Sequence, residues 1–133
     1  MTELPRTAAS PPPARPRIAL IATGGTIAGA GTGPGDAPSA AYQSAVISVD
    51  ALVAGVPGLA RAAQLQAEQI FQIDSADFTD ERLLLLARRV AALCEQPDVD
   101  GVVITHGTDT MDEPAYFLHL AVPTDKPVVL TGA

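Results

Sequence analysis

Tryptophan is absent, and two tyrosines and three phenylalanines bring the aromatic share to only 4%. Proteins that hold single-stranded nucleic acid stack its bases on such rings, so that class is excluded. Cations are scarce too. Eight Lys+Arg against fifteen Asp+Glu leave a net charge of −7. Binding along a phosphate backbone needs clustered cations, which this balance does not supply. The one cysteine, Cys94, can form neither an internal disulfide nor, alone, a zinc cluster. No apolar run approaches the ~20 residues of a membrane span. There is no Gly-Lys pair, which removes the P-loop. The dinucleotide fingerprint fails as well. Counting from Gly29 and Gly31 its third glycine falls on Pro34, and counting from Gly31 and Gly33 it falls on Asp36.

What remains is a globular composition, 47% hydrophobic and 17% charged, in 133 residues, the size of one modest domain. Residues 1–17 stand apart. They hold Pro5, Pro11, Pro12, Pro13 and Pro16, and three arginines against Glu3 give them +2, leaving −9 for the rest. They lack the roughly 7–15 apolar residues of a secretory signal. The stretch reads as a disordered or polyproline-like tail, with the domain over 18–133. A cytoplasmic protein is expected, or a periplasmic one if Met1 is a misassigned start.

Ile18 to Ala22 is a short apolar run closed by Thr23-Gly24-Gly25, the pattern of a strand buried on both faces. Residues 29–40 hold four glycines and two prolines and predict a mobile loop, long enough for a lid. Ser48 starts a short helix through about Ala54, ended by Gly55 and Pro57. Residues 62–73 are ambiguous: Ala and Gln favour helix at the start, and the alternation of Ile70, Phe71, Gln72 and Ile73 favours strand at the end. A helix runs from Asp80 to about Gln96. Thr79 caps it, Pro97 stops it, and Leu83, Leu86, Ala87, Val90, Ala91 and Cys94 share one face. Cys94 is therefore a small core residue. Gly101–Thr105 is a second buried strand, Met111 to Leu120 a helix, and Val128–Thr131 a third strand. Strands alternating with helices imply an α/β fold with a mostly parallel sheet, the N-terminal part of a Rossmann- or flavodoxin-like three-layer domain. The last strand has no helix after it, so the sheet is expected to be incomplete at that end and to expose apolar surface.

In an open parallel sheet ligands bind beyond the carboxyl ends of the strands. Two loops belong there: Thr23-Gly24-Gly25-Thr26, and Thr105-His106-Gly107-Thr108-Asp109-Thr110. Both set hydroxyls beside glycines. Glycine admits a ligand close to the backbone and can turn N–H groups toward an anion. A threonine hydroxyl is a nucleophile once a base or relay activates it. Asp109 can bind an ammonium group or assist that relay. Either loop alone reads first as an ordinary structural turn, but two on one sheet edge, one with an Asp, point to a site.

At these residues the chain resembles the bacterial-type L-asparaginases (asparaginase/glutaminase). IALIATGGTIAG (18–29) is similar to the family's first signature and GVVITHGTDTMDEPAYFLHL (101–120) to its second, while DKPVVLTGA (125–133) continues the match. The resemblance implies hydrolysis of L-asparagine, and to some degree L-glutamine, to the acid and ammonia. It implies a threonine acyl-enzyme, no metal and no organic cofactor, no nucleic-acid or membrane partner, and a homotetramer of full-length chains. By the match, Thr26 is the nucleophile and Tyr42 the loop tyrosine that helps activate it. Thr108 and Asp109 are the second threonine and the aspartate, and Asp109 also binds the substrate's α-amino group. Ser75 holds the α-carboxylate, and Gly25 and Gly107 complete the substrate-binding set. His106 reads as a packing or hydrogen-bonding residue, and His119 as a surface or partly buried one.

The sequence departs from the family pattern at two points. Ala76 follows Ser75 where a polar, substrate-contacting side chain is common. The family's catalytic lysine has no counterpart, because the only lysine, Lys126, matches an ordinary surface position. An alternative is therefore a non-catalytic, truncated product of the same family. The related subunit of a tRNA-dependent amidotransferase is a weaker option, because 17 tail residues are too few for that subunit's additional N-terminal domain.

Overall fold

A computed structural model describes residues 14–31, 42–43 and 45–132. Residues 1–13 of the 1–17 tail and most of the glycine-rich segment lie outside the described residues, and Arg17, assigned to the tail, opens the first strand.

Four parallel strands form the central sheet: β1 (Arg17–Gly24), β4 (Gln64–Ile73), β5 (Gly101–Thr105) and β6 (Val128–Thr131), in the spatial order β4-β1-β5-β6. Two two-residue strands, β2 (Ala30–Gly31) and β3 (Tyr42–Gln43), pair antiparallel on their own. Alternate residues of a strand face opposite sides, and β1 feeds both. Ala19 and Ile21 pack with Val102 and Ile104 against α3 (Asp80–Cys94) and α4 (Asp112–Ala121). Leu20 and Ala22 pack with Val49 of α1 (Val49–Ala54) on the other side. Helices thus cover both faces of the central strands, in the three layers expected from the alternation of elements.

The helices begin where their sequence says. Ser48 accepts from the Ala51 N–H at the start of α1, and Thr79 from the Arg82 N–H at the start of α3. The buried face of α3 is Leu86, Ala87, Val90, Leu93 and Cys94. That matches the periodic reading with Leu93 added and with Leu83 and Ala91 only half-buried. Arg89 leaves this face and forms a bidentate pair with Glu68 of β4, at 2.6 and 2.8 Å to one carboxylate oxygen.

The ambiguous segment resolves differently at its start. A single turn of helix, α2 (Leu59–Ala62), comes first, and all of Gln64–Ile73 is strand. The Gln64 N–H donates to Pro16 O at 2.8 Å, and a continuous parallel ladder with β1 runs from Arg17↔Gln64 to Ala22↔Gln69. Tertiary pairing overrides the local helix preference of Ala and Gln. β6 forms an edge and alternates half-buried with exposed residues, leaving Val129 51% exposed.

At the amino end of the sheet Arg17 grips Asp100. The backbone N–H donates to Oδ2 at 2.7 Å and the guanidinium to Oδ1 at 2.9 Å. These bonds hold the Asp100 carboxyl at about 2, below its ordinary 3.8. Among the described residues no helix is long and apolar enough to cross a membrane.

Candidate functional site

Chain order reverses its direction across the sheet between β1 and β5, because β4 is added on one side of β1 and β5 on the other. The crevice at such a switch point, beyond the carboxyl ends of the strands, is where ligands bind. Both glycine-threonine loops emerge there, one from each of these strands.

Their contact is unusually close. Gly24 and Gly25 have φ of +104° and +79°, open to glycine and costly for other residues. A Cβ on Gly25 would collide with the backbone N and Cα of Gly107. A Cβ on Gly107 would stand 2.5 Å from the Ser75 Oγ, and one on Gly132 2.6 Å from the His106 carbonyl oxygen. The ends of all four parallel strands therefore converge through glycines: Gly25 after β1, Ser75 after β4, Gly107 after β5 and Gly132 after β6. The two loops singled out by composition are brought together, and so is Ser75, which the resemblance alone had put there.

Hydrogen bonds lock this arrangement. The Gly25 N–H donates to Ile73 O at 2.8 Å, and the Gly25 carbonyl accepts from the Ala45 N–H at 2.9 Å. The buried Thr23 hydroxyl donates to Thr105 O at 2.9 Å, lacing β1 to β5 just past their ladder. Ser75 opens a short turn, Ser75–Asp77, whose Ala76 N–H donates to the Asp74 carboxylate at 3.1 Å. The Thr110 hydroxyl reaches across to Ser75 O at 3.0 Å and joins that turn to the loop after β5.

Each named residue has a definite place in this frame. Ser75 and Gly107 are buried, and Thr108 and Asp109 are exposed to solvent beside them. Thr26 begins a 3-10 turn, Thr26–Ala28, directly after Gly25. Tyr42 lies on β3, its backbone paired with Gly31. His106 is fully buried and hydrogen-bonded, and His119 is exposed, as their settings in the sequence imply. Lys126 lies at the opposite end of the sheet, where its ammonium donates to Gln96 O.

Several contributors had no sequence signal strong enough to single them out. Thr23 and Thr110 are ordinary neighbours of the motif threonines, and their tethering role needs the partner loop in view. Gln69 is another. Between the pairs Ala22↔Gln69 and Gly24↔Ile73 the ladder shifts register, and the Gln69 side chain spans the gap. Its Oε1 accepts from the Val49 N–H at 2.9 Å, and its amide nitrogen donates to Ala22 O and Phe71 O. Among the described residues no group of three His, Cys, Asp or Glu is arranged to hold a metal.

The site thus gathers buried glycine backbone, a buried serine, and an exposed threonine and carboxylate at the carboxyl ends of the strands. Such a set can bind a small zwitterion and present hydroxyls to it. Residues 17–133 match the family model described as asparaginase, N-terminal. The chain is 52% identical over 116 residues to a glutaminase-asparaginase of Pseudomonas fluorescens biotype A, covering 87% of this chain and 32% of that protein. It is 47% identical to L-asparaginase 2 of Escherichia coli K12, covering 90% of this chain and 33% of that one. The crystal structure of a probable cytoplasmic L-asparaginase from Campylobacter jejuni superposes with a TM-score of 0.81 at 47% identity, over 90% of this chain and 36% of that one. The chain spans about a third of the length of the curated relatives it matches. With both glycine-threonine loops joined at the switch point and the family model matched over residues 17–133, the chain belongs to the asparaginase family, in its N-terminal part.

Proposed function

We propose that this domain supplies the nucleophile and the amino-acid pocket of an amidohydrolase that converts L-asparagine, and to a lesser extent L-glutamine, to the corresponding acid and ammonia. The observation that supports this most is the joining of Gly25, Gly107 and Ser75 at the switch point, which gathers the loops bearing Thr26, Thr108 and Asp109. Ser75 holds the substrate's α-carboxylate and Asp109 its α-ammonium. With both ends of the amino acid held, the side-chain amide is presented to the threonines. The Thr26 hydroxyl attacks the amide carbon, with Tyr42 helping to take its proton. The C–N bond breaks, nitrogen leaves with a proton as ammonia, and an ester to Thr26 remains. Thr108 and Asp109 then assist water in opening that ester, which restores the hydroxyl and releases the acid. Ala76, a methyl beside Ser75, leaves the carboxylate end of the pocket with fewer polar contacts, so binding of either substrate depends more heavily on Asp109.

A second reading is favoured by one observation. Lys126 is tethered to Gln96 at the far end of the sheet, so these residues bring no lysine to the threonines. On that reading the 133 residues bind the amino acid without turning it over. Ammonia release from L-asparagine, measured on the purified chain and on Thr26→Ala, separates the two. Release that disappears in Thr26→Ala supports hydrolysis. Saturable L-aspartate binding without release supports the second reading. Release unchanged in Thr26→Ala would sink the nucleophile assignment.

A further inference from the structure

One buried titratable side chain is left unused by this scheme. His106, at the carboxyl end of β5, has no exposed surface. Its backbone N–H donates to Thr131 O at 2.9 Å. Its Nδ1 lies 2.8 Å from Gly107 O, and its Nε2 has no hydrogen-bond partner among the described residues. These contacts select a tautomer. A carbonyl oxygen only accepts, so the proton of the neutral ring belongs on Nδ1. Nε2 then buries a lone pair. The reverse tautomer would set a lone pair against the carbonyl and bury an N–H with nothing to receive it, a costlier arrangement.

The face of the same ring packs on Phe78, with centroids 4.8 Å apart and planes tilted by 56°. Phe78 closes the Ser75 turn, its N–H donating to Ser75 O at 3.1 Å. On its other side Phe78 meets Phe71 of β4 edge to face at 5.6 Å. A row of three rings therefore joins β4 to the end of β5. One edge of the histidine holds the peptide that precedes Thr108, while its face holds the turn that carries Ser75.

We propose that His106 is a positioning residue. As the Nδ1–H tautomer it fixes the Gly107–Thr108 peptide relative to the Ser75 turn, and so sets the spacing between the two loops that receive the ammonium and the carboxylate of an α-amino acid. The identity of that ligand rests on the hydrolase reading; the tautomer and the loop coupling do not.

Two amide substitutions test it. The amide nitrogen of asparagine reaches the place of Nδ1, and that of glutamine the place of Nε2. His106→Asn therefore keeps the donor to Gly107 O and His106→Gln loses it. Three measurements on the purified chain suffice: ¹⁵N NMR of the imidazole, L-aspartate affinity, and KM and kcat for L-asparagine. The Nδ1–H tautomer is expected in the wild type. His106→Asn should bind within a few-fold of wild type, and His106→Gln should lose roughly tenfold to a hundredfold, in affinity and KM more than in kcat. An Nε2–H tautomer, or equal binding by the two variants, overturns the proposal. If the wild type neither binds nor hydrolyses, the hydrolase reading fails and the backbone amides of Thr108 and Asp109 decide this one. Shifts displaced in His106→Gln and restored in His106→Asn sustain the coupling, and shifts unchanged in both end it. If His106→Gln does not fold, the wild-type tautomer and the behaviour of His106→Asn carry the decision.

Discussion

Gly25 and Gly107 meet backbone to backbone, with no room for a side chain between the end of β1 and the end of β5. The two loops of the site are thus held together by what their residues lack. Gly25→Ala combines two costs: a positive φ worth about 1–2 kcal/mol and an overpacked contact worth about 1–3 kcal/mol. Gly58 is the internal control. Its φ of +105° is equally unfavourable to alanine, but its Cβ would meet only the end of the Arg61 side chain at 3.4 Å. Urea unfolding should therefore show a larger loss for Gly25→Ala than for Gly58→Ala. Equal losses would mean that the loops separate freely.

Consecutive leucines on α3 give a second contrast. Leu86 is completely buried and Leu85 is 51% exposed. Leu86→Ala should cost about 2–5 kcal/mol through lost transfer energy and a cavity. Leu85→Ala, removing an exposed side chain, should stay within about 0.5 kcal/mol. Thermal or urea midpoints of the two variants check the assignment of the helix face, and a costly Leu85→Ala would show that this face is covered in solution.

The fold was legible wherever one signal dominated. The apolar runs at Ile18–Ala22 and Gly101–Thr105 and the Thr79 cap each state one structure and formed as read, while the face of α3 formed with Leu93 added and with Leu83 and Ala91 only half-buried. The amino half of β4 was not legible, since Gln64-Leu65-Gln66-Ala67 has no strong strand preference and becomes strand only by pairing with β1. The site divides in the same way. Thr26, Thr108 and Asp109 lie in loops that glycines mark. Ser75 could be singled out only by likeness to a family, because its closeness to Gly107 arises from the register of β4 against β1. Gln69 and Phe78 carried no sign at all, as their roles are created by bonds and ring contacts to residues distant in sequence.

Gln69 is accordingly a sharp test of that register. Its amide bridges the Val49 N–H at the head of α1 and the Ala22 carbonyl at the end of β1. Gln69→Leu keeps much of the volume and leaves these partly buried groups unpaired, a loss of about 1–3 kcal/mol for each group left buried. Hydrogen exchange should accelerate first at Val49 and in the opening turn of α1. If Val49 keeps its protection in Gln69→Leu, the bridge contributes nothing.

The Arg17–Asp100 clasp sets an acid limit at the other end of the sheet. The side-chain bond from Arg17 is the main cause of the depressed carboxyl, and the Arg17 backbone N–H adds to it. The folded value, about 2, lies below the ordinary 3.8, so the folded state binds this proton less readily than the unfolded one. The stabilisation is therefore fully present above pH 3.8 and is lost as the pH falls toward 2. Glu81 is also held low, by its own backbone N–H and by Thr79, and contributes a slope of the same sign. Comparison with a variant isolates Asp100. Asp100→Asn removes the charge, so the variant should be less stable than the wild type at neutral pH, and the difference should narrow steadily between pH 4 and 2. Urea midpoints of both proteins across that range test it. Parallel curves, with no narrowing on acidification, would mean that Asp100 binds its proton equally well folded and unfolded and that the clasp is open in solution.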